Sequence, residues 1–449
     1  MILGLVFVAT LFRPWIGALF YVVLSVMSPQ SIWFWGFEGI RASYIIGLAT
    51  GVSFLVHILL GNISVFCWKS KQNALVAFLW FTIICSYYFG ALPPNSAKSL
   101  GLNSQYLMEN FNKTFIMFFL IQPLVTNEKI ISYLIWALVC IFGYYTYWAN
   151  RQYFSGDMFL HGVRLSGPLS PHGFGIYTDE NTFALLFVMA IPFLFFLAQE
   201  SRSMFIKYFL YILIPFGWHS IFLTGSRGGL VGLSAVMLYI VLRVKNYLIA
   251  VLFIVGLVAA FVYQGGDYMK VRSNTIIKFE EDTSSMQRIE AWKMASLMLR
   301  DHPIFGVGLG NFMLGWEKYS SSKPRVAHST IIQFAAENGI FAALAFAVIF
   351  VIALFDLYAI RKEARKKYSS DAQRAGGIIS MANALEGGCI GFFVCGLFLS
   401  LGSYEIYFII IMIISLLHFH TMKEKHENGH RIISEIQNSD NKINNFAIV

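Results

Sequence analysis

The stretch VAHSTIIQFAAENGIFAALAFAVIFVIALF, Val326–Phe355, opens on a histidine and two hydroxyl residues and then becomes a nearly unbroken apolar run. Thirty helical residues at about 1.5 Å each outreach the roughly 30 Å hydrocarbon core of a bilayer. The run can therefore cross a membrane and still leave His328 at the interface. It follows about sixty residues of mostly polar chain, so a histidine stands where a polar segment meets a span.

The rest of the chain has the same apolar character. Of its 449 residues, 57% are hydrophobic, 17% aromatic and only 13% charged, too little charge to coat a soluble domain of this length. Apolar stretches of about 16–26 residues recur throughout, each suited to a span. Lipid offers the backbone no hydrogen-bond partner, so such spans must be helices. The expected fold is all-α, a polytopic integral membrane protein. Cys67, Cys85, Cys140, Cys389 and Cys395 show no CxxC or metal-ligand spacing and read as packing residues. The net charge of +9 suits contact with anionic membrane lipid, and no nucleic-acid motif is visible. The opening MILGLVFVATLFRPW lacks a basic n-region and a small-residue cleavage site, so no cleaved leader is expected.

Twelve spans are expected, near 2–28, 43–60, 74–91, 111–125, 129–148, 181–198, 206–223, 228–243, 247–263, 332–359, 386–402 and 404–420. A break at Arg13-Pro14 is plausible, and the count becomes thirteen if the first segment is a hairpin around FRPW. Lysine and arginine in the short loops give the orientation. Lys69, Lys71, Lys129, Arg202, Lys207, Arg243, Lys245 and the run from Arg361 outnumber Arg41, Lys98, Arg151, Arg164 and Arg227. The richer set is expected in the cytoplasm, with the tail after His420. Segments 149–180 and 264–331 then face outward. The second holds nine lysines and arginines, but loops beyond about 60 residues escape the rule. Such a basic outer loop suits an anionic ligand at the outer leaflet, or is simply solvated.

Three outward places combine a helix start with a cationic or titratable residue. In LTGSRGGLVGL, Arg227 sits in a glycine-rich turn between two spans. A helix N-terminus favours anions, and the guanidinium fork suits phosphate oxygens. An ordinary turn whose arginine snorkels to headgroups fits as well. In EEDTSSMQRIEAWKMASLMLRDHP, Ser284 and Gln287 have capping-box spacing, with Arg288 just inside the helix and Trp292 one turn on, suited to the bilayer interface. An amphipathic surface helix is the alternative. In the opening stretch, Thr330 and Gln333 again have capping spacing, and a helix start would keep the imidazole of His328 neutral. Solvation alone also accounts for an interfacial histidine. Glu337 could orient a partner or bond locally.

Weaker signals surround these. HPIFGVGLGN has three alternating glycines, but no strand–helix unit of a nucleotide loop. His302 and His328 have no metal spacing, and no metal is expected. In RLSGPLSPHGFGIYTDEN, Arg164 and Asn181 are candidate ligand contacts.

Taken together, these residues resemble the bacterial O-antigen ligase and polymerase superfamily, and within it the O-glycosylation ligases associated with exosortase systems. RPWIGALFYVVLSVMSPQSIWFWGF, GSRGGLVGL, MQRIEAWKMA, DHPIFGVGLGNF and AHSTIIQFAAENG follow in the family's order, covering most of the chain to about residue 360. The His-Ser-x7-Glu-x-Gly pattern is present, while the chain after Gly339 says nothing of the acceptor.

The resemblance implies a GT-C-type membrane glycosyltransferase, needing neither metal nor other cofactor. It would transfer a glycan from an undecaprenyl diphosphate carrier to a hydroxyl of a glycan, lipid or protein acceptor, with inversion. The expected setting is the periplasmic face of the bacterial cytoplasmic (inner) membrane, in an exosortase-associated polysaccharide system. By motif match His328 takes the catalytic role and Arg227 and Arg288 the diphosphate. Arg164, Asn181, Ser226, Ser329 and Glu337 would support them. The expected organisation is an N-terminal transmembrane region 1–150, a catalytic region 151–420 including loop 264–331, and a polar cytoplasmic tail 421–449. A repeat-unit polymerase shares these motifs. A transporter would instead place ionisable residues or broken helices inside the spans, and the spans read as almost free of charge.

Overall fold

The computed structural model describes residues 2–37, 39–94, 103–156, 164–168, 177–244, scattered positions between 248 and 259, and 283–422. The protein is all-α and polytopic, with no strand among the described residues. Ten helices among them are long and apolar enough to cross a membrane.

In chain order the principal helices are α1 (Ile2–Phe12), α2 (Pro14–Met27), α3 (Ala42–Leu59), α4 (Lys71–Phe89), α5 (Ser104–Ile121), α6 (Glu128–Ser155), α7 (Glu180–Glu200), α8 (Met204–Thr224), α9 (Arg227–Val244), α10 (Thr283–Asp301), α11 (Phe312–Trp316), α12 (Thr330–Lys367), α13 (Ala372–Gly396) and α14 (Glu405–Met422). The break at Arg13-Pro14 is present. Pro14 opens α2, a position where its missing N–H leaves nothing unsatisfied.

Ten of the expected spans coincide with the ten long apolar helices. The span expected at 111–125 is α5, which starts earlier and carries Glu109 and Lys113, and it falls outside the ten. The span expected at 247–263 lies largely outside the described residues. Further differences concern ends. The span expected at 386–402 begins at Ala372, because its first half, rich in alanine and glycine and so only weakly apolar in sequence, is helical and packed against other helices. The span expected at 332–359 runs over Thr330–Lys367 and is broken at Gly339, whose φ of 82° and ψ of 175° are not helical.

α7 forms the middle of the bundle, with every residue from Phe183 to Ala198 buried. Between lipid-embedded helices there is little hydrophobic drive, so close approach at small residues does the packing. A Cβ on Gly229 would lie 2.8 Å from Ala184 Cβ, and one on Gly232 2.3 Å from Cys395 Sγ. The glycines of GSRGGLVGL therefore seat α9 against α7 and α13.

The spans are less free of charge than their sequence suggests. Glu386 in α13 receives a bidentate pair from Arg361, with Nη1 at 2.9 Å and Nη2 at 3.1 Å. Arg243 and the Tyr239 hydroxyl also donate to it. Glu405 opens α14 and accepts from Tyr21 at 2.9 Å and Lys113 at 3.2 Å. Both of these carboxylates are thus matched by cationic and hydroxyl donors, as a low-dielectric setting requires.

Beyond the ends of the long helices, α10, α11 and the first turns of α12 enclose a second apolar cluster that includes Met294, Met298, Val307, Phe312 and Trp316. Here burial from water operates at about 25 cal/mol per Å² of apolar surface. The cluster anchors the segment that carries His328.

Candidate functional site

The long helices alternate in direction, so the starts of α5, α7, α9, α12 and α14 and the ends of α4, α8 and α13 gather at one end of the bundle. A cavity of about 300 Å³ opens there, within the range of small-ligand sites. One wall is polar, formed by Asp179, Asn181, Thr182, His328, Gln333, Glu337, Ser400 and Ser403. Leu107, Phe111, Leu309, Met313, Phe334 and Leu401 form the apolar remainder.

His328 is half-buried and has a φ of +48°, one of two left-handed non-glycine residues among those described. Histidine is among the few side chains enriched there. The neighbouring chain is held firmly: Trp292 Nε1 donates to Ala327 O at 2.9 Å, and Ala327 N donates to Gln333 Oε1 at 3.4 Å. Trp292 thus ties α10 to the histidine segment. Burial, and then the nearby Arg288 guanidinium, hold the His328 pKa below its ordinary value, partly offset by Asp179. The ring is therefore neutral at pH 7 and able to take a proton.

The start of α12 differs from the expected cap. Ser329, buried, occupies the cap position without a side-chain cap bond. Thr330 cannot cap, because its hydroxyl donates to Leu399 O at 2.7 Å and accepts from Leu401 N at 3.1 Å. This pair fixes the 399–403 loop as a cavity wall. The helix expected at Ser284 begins one residue earlier, at Thr283.

Gly339 divides α12, and the 303–311 segment fills the break. Val307 N donates to Ala336 O and Gly308 N to Glu337 O, both at 2.9 Å, while Ile340 N donates to Pro303 O at 2.9 Å. Its far side pairs with the end of α4, where Ala91 N and Leu92 N donate to Gly306 O and Val307 O. HPIFGVGLGN is thus a backbone splint, with the N–H groups of Val307, Gly308 and Gly310 bonded to α12. Glu337 pins the same splint: its carboxylate accepts from Gln333 Nε2 at 3.0 Å and from the backbone of Gly310 and Phe312. It bonds locally and also lines the cavity.

A second cluster adjoins through Asn181. Ser226 precedes α9 and caps it, accepting from Gly229 N at 3.1 Å while donating to Asn181 Oδ1 at 2.8 Å. Arg164 pairs with Glu180 and donates through Nε to Thr224 O at 2.9 Å and through Nη2 to Asn181 Oδ1 at 3.4 Å. Arg164 therefore clips the start of α7 to the end of α8, and Asn181 links it to the cavity. Arg227, half-buried, is the first residue of α9, next to Ser226.

The structure thus brings His328, Asn181, Gln333 and Glu337 to one cavity, with the Arg288 charge acting on His328, and places Arg227 next in sequence to Ser226, which bonds Asn181. Sequence reasoning missed Asp179, Thr182 and the 399–403 loop. The Asp-x-x-Thr spacing at Asp179–Thr182 does signal a helix cap, but nothing local shows that the cap faces His328. Among the described residues no three His, Cys, Asp or Glu side chains are grouped to hold a metal ion.

Residues 216–347 match the O-antigen ligase family. That range holds Arg227, Arg288 and His328. The teichuronic acid biosynthesis protein TuaE of Bacillus subtilis (strain 168) is 24% identical over 294 residues, 61% of this chain. The match spans 59% of that relative's length. Both likenesses are to proteins of cell-surface glycan assembly by their names, and the ten long apolar helices agree with a multi-pass membrane protein.

Proposed function

We propose that this chain transfers a glycan from an undecaprenyl diphosphate carrier to an acceptor hydroxyl, at the outer face of a bacterial cytoplasmic membrane. The observation that carries this reading is the neutral His328 lining a polar cavity with Arg288 close by. Breaking the bond between the anomeric carbon and phosphate leaves negative charge on the diphosphate. Arg227 and Arg288 would hold that charge as it develops. The acceptor oxygen attacks the anomeric carbon from the opposite side, so configuration inverts. Its proton passes to the His328 imidazole, and the bonding electrons leave with the diphosphate.

Incubating the purified chain with a defined undecaprenyl diphosphate glycan and a panel of acceptors tests this. Donor-dependent growth of one acceptor supports the reading, and no transfer to any acceptor opposes it. Growth of a second lipid-linked glycan would mark a polymerase instead. In the same assay, Arg227→Ala and Arg288→Ala are each expected to weaken donor binding or turnover about 10–100-fold, the usual loss of a charged hydrogen bond. Lysine should rescue only in part, because it lacks the fork. Full activity in both alanine variants would leave these arginines as interface anchors.

The outward placement has its own test. A cysteine at Ser321 is expected to react with an impermeant thiol reagent in intact spheroplasts, and one at Ser370 to be protected. The reverse labelling pattern would invert the topology and remove the site from the outer face.

A further inference from the structure

We propose that Asp179 is a positioning residue for His328, supplying the negative charge that stabilises the imidazolium formed when the acceptor's proton arrives. This rests on the glycan-transfer reading above. Both residues line the same cavity, although nearly 150 positions separate them in sequence.

The cap of α7 fixes the carboxylate. Asp179 Oδ1 accepts from Asn181 N at 3.0 Å, Thr182 N at 2.8 Å and Thr182 Oγ1 at 3.1 Å. Its Oδ2 accepts a longer contact from Asn181 Nδ2 at 3.4 Å. Three donors on one oxygen hold the group in place. Among the described residues the other oxygen carries only the longer contact, so it is the less committed of the two.

The charges around His328 make this group necessary. Arg288, from α10, disfavours a proton on the imidazole, and Asp179 favours one. Glu337, from α12, also lines the cavity, but its carboxylate is taken up by Gln333 and the backbone of Gly310 and Phe312. With Arg288 alone, His328 would be neutral but a poor proton acceptor. Asp179 offsets that field when the acceptor O–H proton moves to the ring and the electron pair of the broken glycosidic bond leaves with the diphosphate. Arg288 can then serve the diphosphate while the imidazolium is balanced from the other side.

Asp179→Asn separates this role from capping, since asparagine caps a helix about as well as aspartate. Diethyl pyrocarbonate acylates neutral imidazole, so its reaction at the His328 peptide, followed by mass spectrometry against pH without donor, reads the His328 titration directly. Removing the carboxylate should move that inflection to lower pH by roughly half a unit, the scale of a partly exposed ion pair. The difference should shrink at high salt. With glycan donor and acceptor, turnover at saturation should fall roughly threefold by the same magnitude, while the donor KM stays near its parent value and the acid limb of kcat/KM moves down.

The same inflection in both proteins, or a change confined to KM, would overturn the proposal. A chain that transfers glycan with matching inflections would remove Asp179 while keeping the transfer reading. A shifted inflection in a chain that transfers nothing would keep the electrostatic pairing and remove the transfer reading.

Discussion

His328→Asn is expected to lower turnover by about 10²–10⁴-fold, the usual worth of general-base assistance, while donor binding and folding survive. Asparagine suits this position because the backbone is left-handed there, with φ at +48°, and asparagine tolerates that region better than alanine or glutamine. His328→Gln should lose turnover as well, since an amide cannot carry the proton, though with added backbone strain. The pH profile follows from the direction of the shift. Burial and Arg288 depress the His328 pKa, so the ring stays neutral to a lower pH than an ordinary histidine. In the parent chain kcat/KM should therefore hold through neutral pH and fall only on the acid side of the usual histidine range, provided chemistry limits the rate. Both variants should lose that inflection. Near-normal turnover at saturating donor, with weakened donor binding, would instead make His328 a headgroup contact.

The sequence made the helices legible because an apolar run longer than a bilayer has one solution for its backbone. It also marked His328 and Arg288, each near a helix start at the same end of alternating spans. Asp179 was hidden for a different reason. Its cap signal is local, whereas its value lies in facing His328 across a cavity assembled from chain segments far apart. The 399–403 loop carries no motif at all and becomes a wall through the two Thr330 hydrogen bonds. Those bonds also explain the displaced cap: Thr330 has the right spacing to Gln333, but its hydroxyl is already engaged. Glu386 reads as an unwelcome charge in a span until Arg243 and Arg361 arrive from α9 and α12. The alternating glycines of HPIFGVGLGN look like a ligand loop in isolation. Their N–H groups and shapes make sense only once the broken helix they fill is in view.

Gly339→Ala is expected to unseat that splint, and with it the half-helix that carries Gln333 and Glu337. Gly339 combines a φ of 82° with a ψ of 175°, a region that costs other residues about 1–3 kcal/mol from the backbone alone. A Cβ there would also stand 2.0 Å from Ile304 O and 2.4 Å from its carbonyl carbon. Backbone cannot swing aside as a side-chain tip can, so 303–311 must move. Movement would cost Val307 N, Gly308 N and Ile340 N their partners across the break, and would free the Glu337 carboxylate from Gly310 and Phe312. Gly377→Ala is the matched control. It lies inside α13, and a Cβ there meets nothing within 4 Å. Alanine should be neutral or stabilising there by up to about 1 kcal/mol through helix propensity. Thermal unfolding in detergent, limited proteolysis across 303–329 and donor-dependent turnover should therefore all worsen in Gly339→Ala and none in Gly377→Ala. If Gly339→Ala melts with the parent and remains active, the break in α12 can be rebuilt without its glycine, and the splint does not hold the cavity in shape.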